Sequence, residues 1–76
     1  MPPVIVYSKK NCMYCQFTKK FLEEKQIAFQ EKDIEQDEQA LKEVEELGFS
    51  SLPVVVGAGV SPFHGFRPDK LGQLLN

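Results

Sequence analysis

VIVYSKKNCMYCQFTKKFL, residues 4–22, changes its period in the middle, and that change decides the fold. Val4-Ile5-Val6-Tyr7 is a short β-branched and aromatic run bounded by Pro3 and Ser8, the signature of a buried strand. From Tyr14 onward the apolar residues fall three and four apart. Tyr14, Phe17, Thr18, Phe21 and Leu22 line one face of a helix expected to run to about Lys25. The joint between strand and helix carries Cys12 and Cys15, the two cysteines of the chain.

Beyond this unit, Ile27 to Asp33 alternates weakly through Ile27, Phe29 and Glu31 and predicts a second strand. Asp37 is placed to cap a second helix with Ala40, Leu41, Val44 and Leu47 on its apolar face, and Gly48 stands where a left-handed terminator is wanted. Leu52-Pro53-Val54-Val55-Val56 predicts a strand with proline at its entrance, Gly57-Ala58-Gly59 a turn, and Val60 to Phe63 a return strand. Arg67-Pro68-Asp69 opens a last helix with Leu71, Leu74 and Leu75 as its stripe, because proline suits the first helical turn. The resulting order, β-α-β-α-β-β-α, is an α/β domain. Strands joined by a helix should run parallel and strands joined by a tight turn antiparallel, giving a small four-stranded mixed sheet with flanking helices.

Seventy-six residues make one domain, residues 1–76, and chains this short bury only about 60% of the surface their unfolded form exposes. The 42% hydrophobic and 26% charged composition suits a globular domain. Two neighbouring cysteines exclude a disulfide framework. The apolar run at the amino end is too short for a signal-peptide core or a membrane span, so a cytoplasmic protein is expected. A monomer is expected as well. In the cytoplasm, disulfides persist only when transient and catalytic. A net charge of −2 gives no global pull toward nucleic acid or membrane. Locally, residues 9–20 hold Lys9, Lys10, Lys19 and Lys20 with no acid, whereas the acids from Glu31 to Glu46 read as a solvated helix face.

The placement of Cys12 matters more than the bare C-x-x-C. The first turn of a helix presents backbone N–H groups without intrahelical partners and the positive end of the macrodipole. A sulfur there is favoured as thiolate, well below the ordinary cysteine pKa of about 8.5. Lys9 and Lys10 add positive potential from the preceding loop. Cys15, one turn further in, lacks that advantage. The two are expected to work as attacking and resolving thiols in disulfide exchange. Three other readings compete. A structural staple over so short a loop would remove only about 2 kcal/mol of chain entropy. A zinc site needs four ligands, and His64 is the only other soft candidate. Two inert thiols could share a helix start by accident. His64 itself reads as a surface turn residue.

C-x-x-C between a strand and a helix, followed by Pro53-Val54-Val55, resembles the thioredoxin-fold superfamily and specifically the glutaredoxins. The ending His64-Gly65-Phe66-Arg67-Pro68-Asp69 is similar to the S-G-F-R-P-D of NrdH-redoxins, the glutaredoxin-like electron donors of class Ib ribonucleotide reductase. The resemblance includes Tyr7-Ser8-Lys9 and Thr18-Lys19 and covers nearly the whole chain. It implies a thioredoxin fold with Pro53 cis. It also implies that Leu52, just before that proline, offers its backbone to a partner's extended segment, as in β-augmentation.

The same resemblance frames the partners. Glutaredoxins take electrons from glutathione, bound by a lysine before the motif, a tyrosine inside it, the proline segment and a Gly-Gly-x-x-Asp turn. Lys9, Tyr14 and Asp69 are kept, but Gly65 is followed by Phe66, a bulky side chain where the tripeptide backbone must lie close. NrdH-redoxins share the altered turn and are reduced by thioredoxin reductase at the expense of NADPH, yet usually carry Gln where Tyr14 stands. The implied activity is that of a thiol–disulfide oxidoreductase without a bound cofactor, supplying ribonucleotide reductase and serving deoxyribonucleotide synthesis. The alternatives are a glutathione-dependent glutaredoxin or a dimeric iron–sulfur module bridged through Cys12. Met13, Tyr14, Leu52 and Phe66 are the expected apolar contact surface, with the lysines steering. The alternative for Phe66 is a core or turn-packing phenylalanine, and Arg67 either orders the loop into the last helix or touches the partner.

Overall fold

The computed structural model describes residues 4–57 and 60–75. Strand β1 (Val4–Ser8) leads into helix α1 (Met13–Glu24), followed by β2 (Phe29–Asp33), α2 (Glu38–Glu46), β3 (Val54–Gly57), β4 (Val60–His64) and α3 (Pro68–Leu71), which continues as a 3₁₀ turn over Gly72–Leu75. The four strands form one sheet in the order β2-β1-β3-β4. As expected, β1 and β2 are parallel, with Val6 opposite Glu31, and β3 and β4 are antiparallel. β1 also pairs antiparallel with β3, Val6 opposite Val55. This is the thioredoxin-type α/β domain that the motif order implied.

Alternation along β1 sends its residues to two cores. Val6 packs with Leu22 of α1, Val55, Phe63 and Leu71 of α3. Tyr7 packs with Ala40 and Val44 of α2 and with Val54. One face of the sheet therefore carries α1 and α3, and the other carries α2. Strand β2 starts two residues later than the alternation suggested. It lies at the sheet edge, so its outer positions stay polar and the weak pattern there is a consequence of exposure. Pro62 sits in β4, the opposite edge, where a missing N–H breaks no central ladder.

Helix α2 is capped as expected: the Asp37 carboxylate accepts the N–H groups of Gln39 (3.0 Å) and Ala40 (3.3 Å). Gly48 ends it with φ +85°, a left-handed conformation that glycine adopts without strain. Its apolar face is narrower than the spacing suggested. Ala40 and Val44 are buried, while Leu41 and Leu47 are exposed. His64, expected in a turn, closes β4 and stays exposed, with its Nδ1 2.9 Å from Ser51 Oγ. Of the expected 57–59 turn, Ala58 and Gly59 lie outside the described residues, as does the Leu75 side chain. Among the described residues no helix is long and apolar enough to cross a membrane.

The α2 face carries one polar cluster. Tyr7 Oη donates to Glu43 Oε1 (2.7 Å), and Lys32 Nζ donates to the same oxygen (3.3 Å). Burial, then the hydrogen bond and the charge of Glu43, push the Tyr7 phenol from 10.0 up to about 12. Folding thus favours the neutral phenol. The stability it brings is complete below pH 10 and is lost as pH rises toward 12, because the folded state holds the proton longer than the unfolded one. Each unit of such a difference is worth about 1.4 kcal/mol. Tyr7→Phe is expected to be less stable than the wild type at pH 8. The gap should narrow between pH 10 and 12 in urea titrations.

Candidate redox site

The site is built where β1 hands the chain to α1. Asn11 turns the loop with φ +59°, a left-handed value that asparagine tolerates better than most side chains. Cys12 follows in an extended conformation and is the N-cap of α1. Its Sγ accepts the N–H of Cys15 at 3.2 Å, and its carbonyl accepts the N–H of Gln16 at 3.2 Å. The sulfur therefore occupies the place usually taken by a capping oxygen, at the positive end of a twelve-residue helix with no acid in its first turn. Cys12 and Cys15 are joined in a disulfide, their Cα atoms 5.2 Å apart.

The two sulfurs differ in access. Cys12 is half-buried, whereas Cys15 is 1% exposed on the face that α1 turns toward the sheet. An incoming group meets Cys12 first. Helix position suggests unequal thiolate stability; burial adds to it a difference in access.

Lys9 and Lys10 are exposed in the loop before the pair, as expected. The basic stretch is less one-sided than its sequence. Lys10 N–H donates to Glu35 Oε1 (3.2 Å), which brings a carboxylate to the same loop. Lys19 Nζ donates to Glu31 Oε2 (2.8 Å), an oxygen that also accepts from the buried Ser8 hydroxyl (2.6 Å). These two hydrogen bonds, Lys19 first, hold the Glu31 carboxyl below its usual range.

The expected contact residues divide into two groups. Met13 (71% exposed) and Tyr14 (59% exposed) stand out between the cysteines. Tyr14 meets Phe17 edge-on, with ring centroids 6.2 Å apart, and Phe17 meets Phe66 at 5.9 Å. Phe66 is partly buried against the core of Val6, Leu22 and Leu71, the packing alternative considered for it, and is also tied to Tyr14 through Phe17. The periodicity assigned Phe17 to the helix's packed face. Phe17 is exposed instead, because α1 buries Cys15, Thr18 and Leu22, packs Phe21 partly against the same core, and leaves Tyr14 and Phe17 outside. Phe17, Lys20, Phe21, Glu24 and Phe66 line a groove of about 370 Å³ beside it.

The side chain of Leu52 packs instead against the α2-side core with Tyr7 and Val44. The Leu52–Pro53 peptide is cis, as the resemblance implied. The Pro53 carbonyl accepts Gly65 N–H (2.8 Å), which fastens the proline segment to the turn before α3. Arg67 is the N-cap of α3, and its guanidinium holds both oxygens of Asp69, Nε to Oδ1 at 3.3 Å and an Nη to Oδ2 at 3.1 Å. Of the two roles considered for Arg67, ordering the last loop is the one visible in its contacts.

A glutaredoxin family model matches residues 4–60 of the chain. The chain is 44% identical over 71 residues to the glutaredoxin-like protein NrdH of Lactococcus lactis subsp. cremoris strain MG1363, covering 93% of this chain and 97% of that one. Against the protein of the same description from Escherichia coli K12, identity is 30% over 71 residues, with 93% and 86% covered. The solved NrdH-redoxin of Escherichia coli, described there as a glutaredoxin-like protein with a thioredoxin-like activity profile, superposes with a TM-score of 0.88 at 28% identity, covering 93% of this chain and 92% of that one. With a disulfide-forming C-x-x-C at the mouth of this fold, the chain belongs to the glutaredoxin family, as one of its NrdH-like thiol–disulfide oxidoreductases.

Proposed function

We propose that the protein is a two-electron carrier that reduces protein disulfides, with class Ib ribonucleotide reductase as client and thioredoxin reductase as its own source of electrons. The observation that carries this reading is the inequality of the two sulfurs, one half-buried at a helix N-cap and one almost fully buried. The Cys12 thiolate attacks one sulfur of the client disulfide, and the other client sulfur leaves as thiolate. The Cys15 thiolate then attacks Cys12, closing the Cys12–Cys15 bond and releasing the second client sulfur. Two electrons reach the client, and the oxidised pair is restored by NADPH through the reductase, with no cofactor resident in this chain.

The choice of reductant rests on Phe66. Its ring leans on Phe17, so the turn after Gly65 presents apolar surface where a glutathione-binding turn needs a bare backbone. Docking of a protein through Met13, Tyr14 and Phe66 suits that surface, with Lys9 steering and the residue 52–53 backbone pairing with an extended segment. Tyr14 and Lys9, both exposed, favour a second reading in which glutathione is the reductant. With NADPH supplied through thioredoxin reductase, turnover of a protein disulfide is expected to exceed that with glutathione and its reductase by at least about tenfold, roughly 1.4 kcal/mol of transition-state preference. Turnover with the glutathione system alone overturns the assignment.

A further inference from the structure

Thr18 is fully buried, and its hydroxyl has no hydrogen-bond partner among the described residues. Buried hydroxyls are normally partnered. In helices a threonine usually donates to the carbonyl three or four residues back, and this one does not. Valine would fill the same volume without a polar atom to desolvate. An orphaned hydroxyl in the core therefore points to a partner that the disulfide form withholds.

The neighbouring sulfur is that partner's natural place. Thr18 follows Cys15 by three residues on the same buried face of α1, a spacing that puts Cβ atoms about 5–6 Å apart. Helical side chains lean toward the N-terminus, so the Thr18 side chain lies over the turn that holds Cys15. In the disulfide, the Cys15 sulfur is turned toward Cys12. Opening the bond frees its rotation. The nearby amides are engaged already: Cys15 N–H donates to Cys12 Sγ and Gln16 N–H to the Cys12 carbonyl. Polar groups on neighbouring elements have partners of their own, Lys19 and Ser8 with Glu31, and Arg67 with Asp69. His64, on β4, is exposed and bonded to Ser51.

We propose that Thr18 is a redox-dependent hydrogen-bond donor to the Cys15 sulfur, free in the disulfide and engaged once the bond opens. Burial disfavours the Cys15 thiolate, and a donated hydroxyl proton offsets part of that penalty. In the resolving step, Cys15 gives its proton to solvent and its thiolate attacks the Cys12 sulfur of the mixed disulfide. The Cys12–Cys15 bond forms, the bond from Cys12 to the client breaks, and the client thiolate takes a proton from solvent. Thr18 raises the fraction of Cys15 poised for that attack. The kinetic part rests on Cys15 being the resolving thiol. The hydrogen bond itself does not.

The test is an ultraviolet titration of the Cys15 thiolate in a Cys12→Ser background, comparing Thr18 with Thr18→Ser and Thr18→Val. Valine is expected to raise the midpoint by about one pH unit, a tenfold loss of thiolate at fixed pH, and serine to restore it. Because nucleophilicity falls as thiolate basicity falls, with a Brønsted slope of about 0.4–0.5, Thr18→Val in the otherwise native protein should slow resolution only about three- to fourfold. Equal midpoints for Thr18 and Thr18→Val overturn the proposal, as do equal shifts for serine and valine, which would mark a packing effect. Should the valine variant fail to fold, the hydroxyl proton of Thr18 in the wild type decides. Slow exchange in the reduced form alone supports the bond, and equally fast exchange in both forms removes it. A titration that supports the bond alongside kinetics showing Cys15 to attack first would sink the order of attack, not the role of Thr18.

Discussion

Cys15→Ser is expected to turn the protein into a trap: mixed with an oxidised client, the reduced variant accumulates as a covalent one-to-one adduct through Cys12. The half-buried sulfur keeps its N-cap position and its amide donor, so the first attack proceeds. The hydroxyl left at position 15 is a far weaker nucleophile than a thiolate at neutral pH, so the adduct is not resolved. Cys12→Ser should accumulate no adduct and lose at least about a thousandfold in turnover, because the remaining thiol is 1% exposed and has lost its partner. Both variants are poor in steady state. They are told apart by non-reducing electrophoresis and mass spectrometry. An adduct that forms through Cys15 in the Cys12→Ser protein would reverse the proposed order of attack.

The largest expected effect on stability comes from Leu22→Ala. Leu22 is fully buried between α1 and the sheet, against Val6, Val55, Phe63 and Leu71. Truncating such a side chain loses its transfer energy and leaves a cavity, together about 2–5 kcal/mol. A domain of this size holds roughly 4–11 kcal/mol in all, at about 0.05–0.15 kcal/mol per residue. The substitution therefore removes a large share of the stability, and the Tm should fall by more than about 10 °C. Leu41→Ala is the matched control. It has the same chemistry and was read from the sequence as apolar face, but it is 39% exposed in α2 and should lower the Tm by less than about 5 °C. Equal losses at the two positions would contradict the packing described for α1 and α2.

That contrast between Leu22 and Leu41 also marks what could be read from the sequence. Order and type of the elements were legible because each has its own punctuation: the period change at Cys12, the Asp37 cap, Gly48, and Pro68 at the start of α3. The directions of the β1–β2 and β3–β4 pairs followed from what joins the strands, whereas the antiparallel β1–β3 pairing, between strands distant in sequence, did not. Periodicity, however, gives the middle of an apolar face and not its edges. On α1, Tyr14 and Phe17 stand on a stripe beside the one that holds Cys15, Thr18 and Leu22, with Phe21 at the border between them. Nothing local says which stripe meets the sheet. That choice is made by β1, β3 and α3, which are distant in sequence, and it sends Phe17 out to meet Phe66.

For the site, the cysteine pair and the N-cap position of Cys12 could be read from the sequence, since a helix start is a local feature; the burial of Cys15 is set by the tertiary fold. The Tyr14–Phe17–Phe66 cluster, the Glu35 carboxylate at the lysine loop and the orphaned Thr18 hydroxyl could not be read there either. Each depends on a contact or a burial fixed by the tertiary fold. Leu52 shows the same limit in the other direction, because its apolar side chain is drawn into the α2-side core.

The most direct test is the pH dependence of alkylation at each cysteine of the reduced protein, read site by site by mass spectrometry. A sulfur capped by an amide at a helix N-terminus should react with a midpoint well below the ordinary value of about 8.5, near 7 or lower. Labelling at Cys12 should then be nearly complete at pH 7 while Cys15, buried behind it, stays unmodified. Equal rates at the two positions, with midpoints near that ordinary value, would contradict the assignment of Cys12 as the poised thiolate.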